Sequence, residues 1–274
     1  MGLISSPNHF QFVMSTILSG RTKATTGTGN LSPGSSSDEE DLIGQDCFLY
    51  IDDLLVFSKK PGIEAHLDAL GRVIDRLSKY GLKAKATKAN IAMTSVKFLG
   101  WIVDKEGRRA NPDKIKAIKD IKIPRGKKSK SRLHAFLGLA SFYRALIENF
   151  AEITAPLYDL LKKKTDMIDK HWTEEHTVSF NRLKEAFMSD PILVHPDYSK
   201  QFIVKTDCSK THAGAILCQV VDGQERVIEY LSTKLNRTQR RWHMTHLEGW
   251  AVVSKKSATV LREPPLNQHG RTIR

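Results

Sequence analysis

In the run FLYIDDLLVF, residues 48–57, Asp52 and Asp53 stand side by side between two apolar, β-branched stretches. The flanks, CFLYI and LLVFS, each read as a short strand, and the two aspartates between them have the length of a hairpin turn. Neither of them is Gly, so the local turn signal is moderate. Adjacent carboxylates repel each other, and removing them from water is costly without a counter-ion. A divalent cation relieves both difficulties. Phosphoryl-transfer enzymes use such pairs to hold two Mg²⁺ ions about 4 Å apart, one activating the attacking oxygen and one stabilising the leaving group. The competing reading is an exposed turn pair with no ligand. Flanks this apolar favour carboxylates placed on purpose at the tip of a buried hairpin.

Elements of both kinds surround this pair. NHFQFVMSTILSG (8–20) has Phe10, Val13, Met14 and Ile17 at helical spacing, with Gly20 to close the helix. Residues 21–46 are rich in Gly, Ser and Thr, carry the acidic run Asp38–Asp41, and read as a mobile loop. Between Glu64 and Leu82, Leu67, Leu70, Ile74 and Leu77 mark a helix that Gly81 stops. VKFLGWIVD (96–104) reads as a strand, followed by a turn at DKEG. Asn111-Pro112 is a helix start with Ile115, Ile118 and Ile121 on its apolar side.

Further helices follow. One runs from about Ser131 with Leu133, Phe136, Leu137, Ala140, Tyr143 and Ile147 on one face. The next carries Ile153, Leu157, Leu160 and Leu161, and another after WTEE carries Phe180, Leu183 and Phe187 and stops before Pro191. The period then changes. KQFIVKTDCSK alternates up to Asp207, and AGAILCQVV and RVIEYLS are two strands joined at Asp222-Gly223. A last helix is expected over His243–Lys256, and the end of the chain has no apolar period.

The chain has 274 residues, 40% hydrophobic and 27% charged, which suits a globular protein with a substantial core. Its 43 Lys and Arg against 30 Asp and Glu give a formal charge of +13. From Lys105 to Arg132 there are 12 basic residues against 3 acidic ones, so +9 of that charge lies in one tenth of the chain. Such an excess points to a polyanionic partner, with nucleic acid first. The competing reading is a solvated helical face. Cys47, Cys208 and Cys218 lack the spacing of a disulfide framework or a zinc site. No apolar run is long enough to span a bilayer, and the N-terminus lacks the regions of a signal peptide. MGLISS matches the N-myristoylation pattern, which is too short to carry an assignment. The expectation is a cytoplasmic or nuclear protein with no membrane partner.

YIDDLLVFSK (50–59) resembles the Tyr-x-Asp-Asp hairpin of reverse transcriptases. Other segments keep the order found in gypsy-like LTR retrotransposon polyproteins. HLDALGRVIDRLSKYGLKAKATK resembles their palm helix. VKFLGWIVDKEGRRANPDKIKAI resembles the primer-grip hairpin and the start of the thumb. LHAFLGLASFYRALIENFAEITAPLYDLLKK resembles the thumb helices. WTEEHTVSFNRLKEAF with DPILVHPDYSKQFIVKTDCS resembles the passage into ribonuclease H, and GLISSPNHFQFVM the palm segment before the hairpin. The resemblance covers about residues 2–20 and 47–253.

The resemblance implies an α+β fold: a partial palm over 1–104, a basic helical thumb and connection over 105–190, and an incomplete RNase H-like α/β domain over 191–256; composition adds a flexible insertion at 21–46 and a disordered tail at 257–274. It implies Mg²⁺ or Mn²⁺ at Asp52 and Asp53, and Tyr50 beside the incoming dNTP. Phe98, Leu99, Gly100 and Trp101 would grip the primer strand. In KTDCSKTHAGAIL, Asp207 would be the first RNase H carboxylate, and in THLEGWAVV Glu248 the second, both as metal ligands. Lys127, Lys128 and Lys130 would meet the phosphates of an RNA–DNA hybrid or primer–template, an affinity that salt weakens.

There are departures. The family's palm needs a third carboxylate from a strand upstream of residues 1–20, and its RNase H continues with further strands and another Asp. Both active sites therefore read as incomplete unless other polyprotein segments complement them. The expected chemistry is RNA-directed DNA synthesis, inactive in this chain alone. The alternatives are a non-catalytic nucleic-acid-binding relic and a protein-interaction module.

Overall fold

The computed structural model of the chain describes residues 6–20, 22–23, 32–33, 39–243, 245–247 and 250. They belong to two compact units, Met1–Leu99 and Gly100–Arg274.

In the first unit α1 (Ser6–Leu18) buries Met14, Ile17 and Leu18, while Phe10 stays exposed. Two short strands, β1 (Thr22–Lys23) and β2 (Ser32–Pro33), pair antiparallel. The last part of the segment expected to be a mobile loop is ordered. The Leu42 amide donates to the Leu18 carbonyl at 3.0 Å and its side chain is buried. Asp46 is also buried and accepts two hydrogen bonds from the Arg72 guanidinium, at 2.6 and 2.8 Å. A single apolar anchor and a bidentate ion pair suffice to fix this stretch.

β3 (Cys47–Tyr50) and β4 (Asp53–Val56) form the hairpin, and α2 (Ile63–Lys79) packs beneath it. The helix marked by the spacing of Leu67, Leu70, Ile74 and Leu77 is present, but these four are not all on its buried face. Ala69, Val73 and Leu77 are buried, and Leu67 and Ile74 face solvent. The apolar arc of α2 is wider than the core it covers. Arg72 and Arg76 flank one edge of that arc and reach Asp46 and Glu39, so that edge is turned inward. The unit closes with β5 (Ser95–Phe98).

The second unit opens with a hairpin of β6 (Trp101–Asp104) and β7 (Gly107–Ala110). The single strand expected over 96–104 is thus two strands, because the backbone turns at Leu99 (φ 48°) and Gly100 (φ 82°). Next come α3 (Pro112–Asp120), α4 (Ser129–Phe142), α5 (Phe150–Leu161) and α6 (Glu174–Met188). Asn111 caps α3 by accepting the Asp113 amide at 3.0 Å, and Thr173 with His176 makes a capping box on α6. The four helices share one core around Leu133, Phe136, Leu157, Phe180 and Leu183, with the Phe136 and Phe180 rings 4.5 Å apart. α4 stops at Phe142, so Ile147 enters this core from the following turn rather than from the helix.

The chain then threads past the first hairpin. Leu193 exchanges both backbone hydrogen bonds with Arg108, at 2.8 and 3.0 Å, and the Val194 amide donates to Val227 at 2.9 Å. β8 (Ile203–Cys208), β9 (His212–Val221) and β10 (Gln224–Lys234) form an antiparallel sheet in the order β10-β9-β8. Asp222 and Gly223, both at positive φ, make the expected turn. Of the helix expected over His243–Lys256, residues 245–247 and Trp250 are helical; the rest beyond His243 and the tail at 257–274 lie outside the described residues. No helix among the described residues is long and apolar enough to cross a membrane.

Candidate functional site

The hairpin register is Cys47↔Val56, Phe48↔Leu55, Leu49↔Leu54 and Tyr50↔Asp53. The two-residue turn is therefore Ile51-Asp52 rather than Asp52-Asp53, and Asp53 is the first residue of β4. Directly paired residues of an antiparallel ladder share a face. Cys47, Leu49, Leu54 and Val56 accordingly face the core with Met14, Leu18, Val73 and Leu77. Phe48, Tyr50, Asp53 and Leu55 share the outer face, where Phe57 stacks on Phe48 with centroids 4.8 Å apart. The hairpin is buried on one side only: Phe48 is 49% and Tyr50 53% exposed, and Asp52 and Asp53 are exposed too.

Ile51 adopts φ 51°, a left-handed conformation that is costly for a β-branched residue. Its amide donates to the Gln11 side chain, reaching over from α1. Gln11 in turn hydrogen-bonds Ser15 one helical turn on, at 3.3 Å. Sequence reasoning missed Gln11; its only signal is the i, i+4 pairing with Ser15. Among the described residues neither Asp52 nor Asp53 has an ion-pair or hydrogen-bond partner, and no group of three His, Cys, Asp or Glu is arranged to hold a metal ion. The pair supplies two hard oxygen donors of the kind Mg²⁺ accepts, and leaves its other positions to groups from elsewhere.

The residues expected to grip a strand occupy the end of β5, the turn after it and the start of β6. Phe98 ends β5 half-buried, and Leu99 sits in the turn that follows. The Gly100 carbonyl accepts the Tyr143 hydroxyl at 2.6 Å and the Asn111 amide at 3.2 Å. The Trp101 ring packs edge-on against Tyr143 at 5.1 Å and under the Arg108 guanidinium at 5.1 Å. The ring is half-buried. Burial pushes the Tyr143 hydroxyl above its ordinary pKa, which keeps it a donor.

Of the three lysines, Lys127 and Lys128 are exposed where the chain turns into α4, with Lys128 at φ 69°. Lys130 instead donates to the Lys163 carbonyl at 2.7 Å. Beside it, the buried Ser129 donates to the Asp166 carbonyl at 3.1 Å and accepts the Ile168 amide at 3.0 Å.

Asp207 lies on β8 opposite Gly214, which on its other side pairs with Ser232. All three positions therefore face the same way, toward the start of α5. Asp207, Glu148 and Asn149 line a small pocket of about 90 Å³ there. Glu248, the expected second carboxylate, lies outside the described residues.

Residues 1–103 match the family described as reverse transcriptase (RNA-dependent DNA polymerase), and residues 172–259 the RNase H-like domain found in reverse transcriptase. The chain is 34% identical over 219 residues to the retrovirus-related Pol polyprotein from transposon opus of Drosophila melanogaster, covering 77% of this chain and 21% of that one. It is 32% identical over 220 residues to that from transposon gypsy of the same organism, covering 77% and 20%. The Gag-Pol polyprotein of baboon endogenous virus is 34% identical over 219 residues, covering 79% and 12%. The chain thus spans about a fifth or less of these relatives' length. Among solved structures, the foamy viral protease-reverse transcriptase in complex with dsDNA superposes with a TM-score of 0.71 at 23% identity, covering 96% of this chain and 50% of that one. The same protein in complex with RNA/DNA hybrid gives 0.65 at 25% identity, covering 80% and 29%.

Proposed function

Because the chain belongs to the retrotransposon Pol family, with a reverse transcriptase segment followed by an RNase H-like one, we propose that it supplies the catalytic hairpin and thumb of an RNA-directed DNA polymerase. The observation that carries this is the hairpin tip. Asp52 and Asp53 are exposed, adjacent and unpaired among the described residues, on a strained turn that Gln11 holds in place. Strain kept at a site by its surroundings is a mark of preorganisation.

In the reaction a primer 3′-hydroxyl attacks the α-phosphorus of a dNTP. The new O–P bond forms as the bond to the pyrophosphate oxygen breaks, and the hydroxyl proton leaves. Mg²⁺ or Mn²⁺ held at Asp52 and Asp53 would make the hydroxyl more acidic and offset charge on the phosphoryl oxygens. Tyr50, on the same outer face as Asp53, would border the nucleotide. Exposed Lys127 and Lys128 would neutralise phosphates of the bound duplex. The solved relatives are complexes with dsDNA and with RNA/DNA hybrid, which supports that partner class. Asp207, with Glu248, is assigned to RNA cleavage on the same reading.

On this reading the chain alone binds primer–template without extending it, because a two-metal site needs more ligands than the two carboxylates at the hairpin. A non-catalytic binding role is the second reading, and the same observation favours it. Both are tested by fluorescence anisotropy on an RNA–DNA hybrid and by primer extension with Mg²⁺, with and without a polypeptide supplying the family's upstream palm strand. The expected result is hybrid affinity that falls with salt, and extension only on complementation, abolished by Asp52→Asn. Extension indifferent to Asp52→Asn overturns the catalytic assignment. Binding without extension even on complementation supports the second reading.

A further inference from the structure

The strongest unassigned feature is an open cleft of about 760 Å³ between the end of α3 and α6. Lys119, Lys122, Arg125 and Lys184 line it, with Asp120 as the one acid among its lining residues and the half-buried Ile121 and Ile123 supplying an apolar wall. Lys119, Lys122 and Arg125 have no ion pair among the described residues. Cations gathered in a concave site without counter-charges raise the local potential and draw in anions.

The wall that carries these cations is held at both ends. After α3 the backbone turns extended at Ile121, whose carbonyl accepts the Lys184 ammonium at 2.8 Å. That ammonium also lies 5.7 Å from the centre of the Phe180 ring. Five residues on, the Gly126 amide donates to the Asp169 carboxylate at 3.1 Å. Lys122 and Arg125 are therefore presented from a pinned stretch of chain rather than from a loose loop.

We propose that this cleft binds a single strand of nucleic acid through its phosphodiester backbone, as a site separate from the Lys127–Lys128 corner. This deepens the nucleic-acid reading above and rests on it. Lys122 and Arg125 are three residues apart on chain that spans up to about 10 Å, a span within which two successive phosphates of one strand can each meet a cation. A row of phosphates fits that spacing, whereas one phosphate meets only part of it. The concavity admits one strand, and the apolar wall beside the cations suits the sugars and bases that a separated strand exposes.

The test uses the full chain and its K122Q/R125Q and K127Q/K128Q variants. Anisotropy is measured with a labelled 12-nucleotide single strand and with a blunt RNA–DNA hybrid, between 50 and 200 mM salt. Two lost phosphate contacts lower the salt slope for single strands by about 1.4, so K122Q/R125Q is expected to show that decrease and a several-fold weaker affinity for the single strand. Its hybrid binding stays near that of the parent, and K127Q/K128Q shows the converse. Lysine acetylation footprinting of the unmodified chain gives a readout independent of folding: the 12-mer protects Lys119 and Lys122. Hybrid binding together with an unchanged single-strand slope, or with no protection of Lys119 and Lys122, overturns this site alone. Binding of neither probe by the parent chain overturns the nucleic-acid reading with it. Protection by inositol hexakisphosphate but not by the 12-mer overturns the strand assignment.

Discussion

Ala151 donates its backbone amide to the Ser232 hydroxyl at 2.8 Å. This bond ties the first turn of α5 to the last part of β10, in the cross-strand row that also holds Gly214 and Asp207. A helix N-terminus leaves amides without partners, and here one of them is satisfied by the sheet. Replacing Ser232 with Ala leaves that amide unpaired at a packed junction. The expected cost is about 1 kcal/mol, read as a lower urea midpoint with an unchanged m-value.

Arg76 is the hub of the first unit. It donates to the Ile17 carbonyl at 3.1 Å and to the Glu40 carbonyl at 3.0 Å, and pairs with Glu39 at 3.2 Å. One planar guanidinium thus joins α1, the acidic segment and α2. Arg76→Ala is expected to destabilise this unit by about 2–3 kcal/mol. Arg76→Lys recovers little, because an ammonium lacks the fork that reaches three acceptors. Hydrogen exchange of the α1 and β3 amides checks this; unchanged protection in Arg76→Ala would count against it.

Gly107 adopts φ 147°, and a Cβ there would drive into the Leu193 carbonyl oxygen. The Leu193–Arg108 pairing that knits the β6–β7 hairpin to the chain after α6 needs that close approach. Gly107→Ala is expected to cost about 1–3 kcal/mol. The loss appears in thermal unfolding of the second unit, and a variant as stable as the parent would show that the pairing is dispensable.

His212 on β9 gives a pH dependence. Burial lowers its pKa below the ordinary 6.5; Glu152 and Asp159 oppose this, while Lys234 and Arg240 add to it. A folded-state pKa below that of the unfolded chain means that unfolded molecules take up a proton first as pH falls. The stability tied to a neutral His212 is therefore present above pH 6.5 and is lost as pH drops through the folded-state value. NMR titration of the His212 ring should give a midpoint below 6.5. The difference in urea midpoint between pH 7.5 and 5.5 should shrink in His212→Gln.

Cys47 illustrates what burial does to a reactive group. Its thiol is pushed up to about 11, chiefly by burial and then by Asp46 and Asp41. The thiolate is thus scarce at neutral pH. Iodoacetamide at pH 8 is expected to label the partly exposed Cys208 well before Cys47, by mass spectrometry of the peptides.

The sequence by itself determined the order of motifs, the helices whose buried residues recur at helical spacing such as α4 and α6, the turn at Asp222-Gly223, and the two carboxylates at a hairpin tip. These are local properties: periodicity, capping and turn chemistry are written in neighbouring residues. Only the tertiary structure decided the rest. Tyr50 pairs with Asp53, which leaves Ile51 in the turn at positive φ, where its amide meets Gln11 of α1, a partner 40 residues away in the chain. The buried face of α2 was chosen by Arg72 and Arg76 meeting carboxylates about 26 and 37 residues away, which no local pattern records. Trp101 is half-buried against Tyr143 and Arg108, contacts 42 and 7 residues away in the chain that the folded backbone brings together. Local preferences fix what a segment can be, and long-range burial and ion pairing fix which of its faces is left to do chemistry.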